Sequence, residues 1–334
     1  MSTLHRQFDA LLFDLDGVVY VGPEAVPHAA SSIAGARQEG AACGFITNNA
    51  ARTAEVVAEH LTSIGVPCRL DEVITSPQAA ITVLGDFVEP GSRILVIGGP
   101  GIADELVAHG YVPVRSLDDA PAAVVQGFSP DLGWRDLAEA TFAVRAGLPW
   151  IATNPDRTFP TPRGVAPGNG ALVGLVAEAA GRRPDAVAGK PEPPLLHEAI
   201  GRLSASRPLM IGDRLDTDVA AGARISIPTL LVLTGVTTVE EVLRADREER
   251  PTFIAGDLRV LLAEYPEVVV EGRDSSVARC GGSEVSVLDH RLVVTKEGEP
   301  IDVIRAAAGV VWAQADRGQG VDTSGILESA GWIR

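Results

Sequence analysis

Lysine is almost missing from this chain. Of 28 basic residues only Lys190 and Lys296 are lysines. Such an arginine bias reflects a GC-rich coding sequence. A lysine kept against that background is a candidate for chemistry that needs an ammonium group, the alternative being a solvated surface charge. Cysteine is also scarce: three residues, Cys43, Cys68 and Cys280, an odd number with no C-x-x-C pair. That excludes a disulfide framework and fits a reducing compartment, so a cytoplasmic protein is expected. The six histidines are scattered, with no i, i+4 pair and none beside a G-x-S-x-G serine. Helical zinc-hydrolase and serine-hydrolase signatures are therefore absent. No apolar run approaches the roughly 20 residues of a membrane span. The polar segment Met1–Asp9 lacks the apolar stretch of a signal peptide. No block of basic residues relieves the net charge of -16, which argues against nucleic acid as a partner. With 334 residues, 46% of them hydrophobic, the chain reads as a soluble globular protein of about two domains and a small third.

What is present is an alternation of short apolar runs and helix-like segments. Residues 9–15 read as a buried strand ending in Asp-Gly, 27–40 as a helix, 41–47 as a strand ending at Asn48-Asn49, and 53–64 as a helix stopped by Gly65. The pattern resumes with strands at 93–98, 111–114, 122–127 and 149–153 and helices at 102–109 and 134–146. A Pro/Gly-rich stretch, 154–170, precedes a helix to Ala180. Beyond Lys190 come a helix (194–203), a strand (208–211), a helix (218–223) and a strand (229–233). Strand–helix alternation of this kind gives βαβ units and a doubly wound parallel sheet, the α/β class. After Glu264 the character changes to strands over 268–296 and one helix over 300–315.

Four short motifs punctuate strand ends or helix starts: Asp14-Leu15-Asp16-Gly17-Val18, Thr47-Asn48-Asn49, Gly189-Lys190-Pro191-Glu192-Pro193 and Gly212-Asp213-Arg214-Leu215-Asp216-Thr217-Asp218. In a doubly wound sheet the carboxyl ends of strands are where ligands bind, so residues far apart in sequence can converge there. The residue types suit phosphoryl transfer. A carboxylate can attack phosphorus, and a second acid two residues on can protonate the leaving oxygen and then activate water. A divalent cation must separate the two anions; magnesium prefers carboxylate and water oxygens, and Asp14 and Asp213 can supply the former. A lysine and a hydroxyl can hold the remaining phosphoryl oxygens. Taken singly the motifs have bland readings. Asp-x-Asp-Gly also opens a calcium loop, but Val18 and Ala25 stand at that loop's fifth and twelfth positions. One of Asp213, Asp216 and Asp218 is expected to cap the following helix, and Asp216 is given no role. Gly98-Gly99-Pro100-Gly101 imitates a dinucleotide loop, yet Asp104 occupies the third glycine's position, which leaves a tight turn.

Together the motifs resemble the haloacid dehalogenase superfamily. Phe13-Asp14-Leu15-Asp16-Gly17-Val18, Ile46-Thr47-Asn48-Asn49, Asn154-Pro155-Asp156, Pro167-Gly168-Asn169-Gly170 and Gly189-Lys190-Pro191 resemble its NagD-like branch of small-molecule phosphatases. The resemblance, covering roughly residues 8–260, implies a magnesium-dependent phosphatase with Asp14 as nucleophile and metal ligand. Asp16 is then the general acid/base, with its backbone carbonyl on the metal. Thr47, Asn48 and Lys190 bind the phosphoryl group, Asp213 is a further metal ligand, and Asp218 supports the metal from behind. Asn49, Asn154 and Asp156 are candidates for substrate contact. It also implies a catalytic core over 1–85 and 186–265 and an inserted α/β cap over 86–185. The substrate is a small phosphorylated metabolite: glycerol 3-phosphate first, 2-phosphoglycolate second, pyridoxal phosphate or a nucleotide after them. A homodimer is compatible with it.

Residues 266–334 lie outside the resemblance. A hairpin is expected from 284–288 and 291–294 around Asp289-His290, followed by an amphipathic helix from Ile301 to Ala315. About 70 residues make a marginal core alone, so this small α+β extension is expected to dock on the core or on a second subunit. Its order faintly resembles part of an acetyltransferase fold, but Arg317-Gly318-Gln319-Gly320 follows a helix where an acyl-CoA loop would follow a strand, and a structural appendage is the reading.

Overall fold

The computed structural model describes residues 3–161, 163–272, 274–324 and 326. Parallel sheets flanked by helices divide into two compact units, Met1–Ala42 with Arg207–Arg334, and Cys43–Ser206.

In the first unit, Ala10–Asp14, Pro208–Gly212, Thr229–Val232 and Phe253–Ala255 pair in parallel in that order. Their side chains are almost all buried, as expected of strands covered on both faces. The helix Ala29–Gln38 packs over the 3-10 turn Leu258–Leu262, with Gly35 against Leu262. After Gly212 a π-helical turn, Leu215–Val219, precedes the helix Ala220–Arg224. The helical segment thus starts earlier than its apolar pattern suggests. Neither Asp213, Asp216 nor Asp218 caps the helix Ala220–Arg224, whose N-cap is Val219.

The carboxyl-terminal segment forms an antiparallel sheet of four strands, Val268–Glu271, Val277–Cys280, Ser283–Leu288 and Arg291–Lys296. The expected hairpin closes through Asp289 (φ 48°) and His290 (φ 63°), the two left-handed residues of a tight hairpin turn. The helix Pro300–Ala315 covers this sheet. Its Val303, Ile304, Ala307, Val310 and Val311 share one apolar core with Val239, Val242, Leu243 and Ile254 of the parallel-sheet region. Trp312 Nε1 donates to the Val242 carbonyl at 3.0 Å and Arg305 Nε to the Ile254 carbonyl at 2.8 Å. The extension thus packs on the parallel-sheet core, one of the two docking surfaces expected.

The strand Ala42–Thr47, all but its first residue in the second unit, pairs in parallel with Val73–Thr75. The helix Ala54–Ser63 follows, capped by Thr53. A five-stranded parallel sheet runs in the order Ala186–Val187, Trp150–Ala152, Ala123–Gln126, Arg93–Ile97, Val112–Val114. Helices Trp134–Arg145 and Asn169–Ala180 bury Leu137, Ala140, Val144 and Val176 against Trp150, Val124 and Ile97. The Pro/Gly-rich stretch, 154–170, contains a hairpin, Thr158–Thr161 with Gly164–Pro167. Its prolines hid it from the sequence pattern. An isolated two-stranded ribbon has only edge strands, where proline is tolerated.

Candidate active site

Asp14 is the last residue of its strand, and Asp213 follows Gly212, the last residue of the neighbouring strand. The parallel pairing of these strands brings the two acids to the same sheet end. The π-helical turn returns Asp218 to them, so that one carboxylate oxygen from each of Asp14, Asp213 and Asp218 lies within 4.8 Å of the others. Asp14 is half-buried, Asp213 and Asp218 are buried.

Backbone donors hold two of these acids. Asp218 Oδ2 accepts from the amides of Asp213 (3.2 Å) and Arg214 (3.1 Å). Asp213 Oδ2 accepts from Val236 N–H at 2.6 Å, and Thr234 Oγ1 donates to the Gly17 carbonyl at 2.6 Å. The loop after Thr229–Val232 therefore joins the site, a part that the sequence motifs did not reveal. Its signal was a glycine at a strand end. A Cβ on Gly17 would stand 2.5 Å from Asp213 Oδ2, and one on Gly235 would overlap the same oxygen. Three buried or half-buried carboxylates so close together repel one another, and a cation is their natural complement. All donors are hard oxygens with no Cys or His among them, which suits magnesium or calcium rather than zinc.

Asp16 lies outside this carboxylate cluster. It sits exposed on the turn closed by Gly17 N–H to the Tyr20 carbonyl. Asp216 is exposed and paired with Arg214 at 2.8 Å.

The remaining candidates fall in the second unit. Thr47 ends its strand, buried, its Oγ1 accepting from Asn49 N–H at 3.0 Å, so its own proton remains for donation. Lys190 is 2% exposed. Asn48 grips the backbone of Lys190 at both ends: Lys190 N–H donates to Asn48 Oδ1 (2.9 Å), and Asn48 Nδ2 donates to the Lys190 carbonyl (2.9 Å). The second proton of that amide goes to Asp156 Oδ1 at 3.1 Å. The Asn48 side chain is thereby committed to Lys190 and Asp156. Asn154 is buried; its Nδ2 donates to the Asn48 carbonyl at 2.7 Å and its Oδ1 accepts from Asp156 N–H at 3.2 Å. Asn49 Oδ1 accepts from Ala51 N–H at 2.9 Å. In these contacts Asn49 and Asn154 brace backbone, and Asp156 braces the Asn48 side chain.

Comparison with known proteins accounts for nearly all of the chain. Residues 11–112 match the haloacid dehalogenase-like hydrolase family, and residues 187–261 match a second model, HAD-hydrolase-like. Residues 280–332 match a GCN5-related N-acetyltransferase like domain, in line with the faint likeness read in the sequence. The D-glycerol 3-phosphate phosphatase of Mycobacterium tuberculosis is 40% identical over 314 residues, 93% of this chain and 88% of that protein. The acid sugar phosphatase of Staphylococcus saprophyticus is 34% identical, over 78% of this chain and 98% of its own length. Among solved structures, the glycerol phosphate phosphatase of Mycobacterium tuberculosis in complex with magnesium superposes with a TM-score of 0.87 at 37% identity, covering 100% of both chains. The p-nitrophenyl phosphatase of Archaeoglobus fulgidus gives a TM-score of 0.71 at 30% identity, over 76% of this chain and 98% of its own.

Proposed function

We propose that this chain, which belongs to the haloacid dehalogenase-like hydrolases and is a phosphoric monoester hydrolase, removes phosphate from small esters, with glycerol 3-phosphate as the favoured substrate. The observation that carries the reading is the convergence of Asp14, Asp213 and Asp218 at one sheet end. The near full-length likeness to a D-glycerol 3-phosphate phosphatase supports the substrate.

In this reading an oxygen of Asp14 attacks phosphorus. The P–O bond to the leaving group breaks, and Asp16 gives that oxygen its proton. Asp16, now a carboxylate, takes a proton from water. The resulting hydroxide attacks the acyl phosphate, releasing inorganic phosphate and regenerating Asp14. Thr47, the Asn48 backbone amide and Lys190 carry the charge of the phosphoryl oxygens. A magnesium ion held by Asp14, Asp213 and the Asp16 carbonyl, with Asp218 in support, would neutralise the repulsion between nucleophile and substrate. The segment 86–185 selects the leaving group.

A second substrate reading, a sugar phosphate, is favoured by the likeness to acid sugar phosphatases. Phosphate release measured over a panel of small phosphate esters distinguishes the two. Glycerol 3-phosphate should give the highest kcat/KM, ahead of 2-phosphoglycolate, pyridoxal phosphate and nucleotides. A sugar phosphate or a phosphopeptide at the top would overturn the three-carbon assignment.

A further inference from the structure

Two motifs of the sequence, Asn154-Pro155-Asp156 and Pro167-Gly168-Asn169-Gly170, have no part in the chemistry above. In the structure they form one device. The start of the helix Asn169–Ala180 lies along the loop 154–157: Gly168 N–H donates to the Arg157 carbonyl and Gly170 N–H to the Asp156 carbonyl, both at 2.8 Å. Glycine is required on both sides of Asn169. A Cβ at 168 would overlap the Asp156 carbonyl and one at 170 the Pro155 carbonyl.

Between these glycines the Asn169 side chain, 1% exposed, donates from Nδ2 to the Asn154 carbonyl at 2.9 Å, with a longer contact to the Gln126 carbonyl at 3.4 Å. Its Oδ1 is buried with no hydrogen-bonding protein group around it. Burying that oxygen opposes stability, so the residue's use lies in its nitrogen.

From Asn169 the contacts run in one direction. Asn169 holds the Asn154 carbonyl, Asn154 Nδ2 holds the Asn48 carbonyl, and Asn48 holds the Lys190 backbone at both ends. The Asn48 carbonyl is shared with Ser76 Oγ at 2.8 Å. Each link is a short bond between buried or half-buried groups, where a hydrogen bond is strong and a broken one costly.

We infer that Asn169 is a positioning residue for Lys190, acting through Asn154 and Asn48. This rests on the reading of Lys190 as a phosphoryl-binding group. The side chain of a buried lysine can meet a small dianion only if its backbone is placed to fractions of an ångström, and backbone placement is what this chain of amides supplies.

The test is a double-mutant cycle on the affinity for inorganic phosphate, measured by calorimetry in magnesium buffer, with kcat and KM for p-nitrophenyl phosphate alongside. Asn169→Ala should weaken phosphate binding about tenfold, the low end of what loss of a supporting partner does to a bound ligand. Asn169→Asp keeps the shape but loses the donors, and should do the same. Thermal melting of both variants verifies the fold. In a Lys190→Ala background the effect of either substitution should nearly vanish, because the group being positioned is gone. A loss of stability alone would persist in that background. An equal factor with and without Lys190 overturns the inference while leaving the phosphate site intact. If Lys190→Ala itself leaves phosphate affinity unchanged, the underlying functional reading fails and the inference falls with it.

Discussion

An alanine at position 17 would carry its Cβ 2.5 Å from Asp213 Oδ2, on a residue whose φ is +87°. Two costs combine there. A left-handed conformation for a residue with a Cβ costs about 1–2 kcal/mol. The clash in addition forces Asp213 away from the acidic cluster. Two further substitutions separate these costs. Gly22 also has a positive φ (60°) but nothing within 4 Å of a built Cβ, so Gly22→Ala measures strain alone. Gly235 is outside the positive-φ set, but its Cβ would overlap Asp213 Oδ2, so Gly235→Ala measures displacement of the carboxylate alone. Displacing a metal-binding group typically costs roughly 10–100-fold in affinity. The assay is magnesium titration of p-nitrophenyl phosphate hydrolysis, with melting curves in chelator and in magnesium. Gly22→Ala should melt a few degrees lower with unchanged half-saturation for magnesium. Gly235→Ala should require about 10-fold or more magnesium with a similar melting point in chelator. Gly17→Ala should show both effects. If Gly235→Ala needs no more magnesium than wild type, the assignment of Asp213 to the metal is refuted.

Other outcomes follow from the same geometry. Asp14→Asn should lose nearly all turnover, on the scale of ~10⁶ seen when a nucleophile is removed elsewhere; retention of a tenth of the rate would sink the mechanism. Asp16→Asn should leave a phosphoenzyme detectable by acid quench with radiolabelled substrate, since the base for its hydrolysis is gone. Excess chelator should abolish activity, and calcium should restore it poorly, because looser coordination misplaces the nucleophile. The Cys280 thiol is 1% exposed and pushed up to about 12, first by burial and then by Asp302. With almost no thiolate at pH 8, it should resist alkylation in the folded protein while partly exposed Cys68 reacts, as peptide mapping would show. A chain ending at Tyr265 should keep the catalytic motifs yet lose solubility. It would uncover Val242, Leu243 and Ile254, each worth about 1.5–3 kcal/mol when buried, against a total stability of typically 5–15 kcal/mol.

The fold was legible wherever an apolar run was short and closed by a turn signal. The strands at Ala10–Asp14 and Arg93–Ile97 fall within the runs read from the sequence, and Pro208–Gly212 passes its run, 208–211, by one residue. Strands buried on both faces favour near-continuous apolar runs. The hairpin at Asp289-His290 was equally plain, since period-two alternation flanked a polar pair. Several elements escaped, the helix Ser76–Leu84 and the strand Phe253–Ala255 among them, and two show why. The ribbon Thr158–Thr161 with Gly164–Pro167 has a proline in each strand. The π-helical turn Leu215–Val219 reads Leu-Asp-Thr-Asp-Val, and no periodicity marks five residues wound to return one carboxylate to the sheet end.

The site was legible as chemistry and less so as mechanics. Residue type exposes a nucleophile or a metal ligand, because few side chains can do that work; it does not expose which amide holds which. Asn48, Asn154 and Asn169 stand beside the chemistry in three different motifs, and asparagine at such positions suits a substrate contact as well as a brace. Only the hydrogen-bond partners distinguish the two. Each of these amides donates to a backbone carbonyl of this chain, and a proton already given to a buried carbonyl is not on offer to a ligand. That criterion moves the search for the residues that select the leaving group away from these asparagines. It leads to exposed cationic side chains, such as that of Arg157 beside the ribbon. Replacing Arg157 by glutamine should change the ranking of substrates by kcat/KM while leaving the magnesium requirement alone. A shifted magnesium requirement with an unchanged ranking would return selection to the asparagine network.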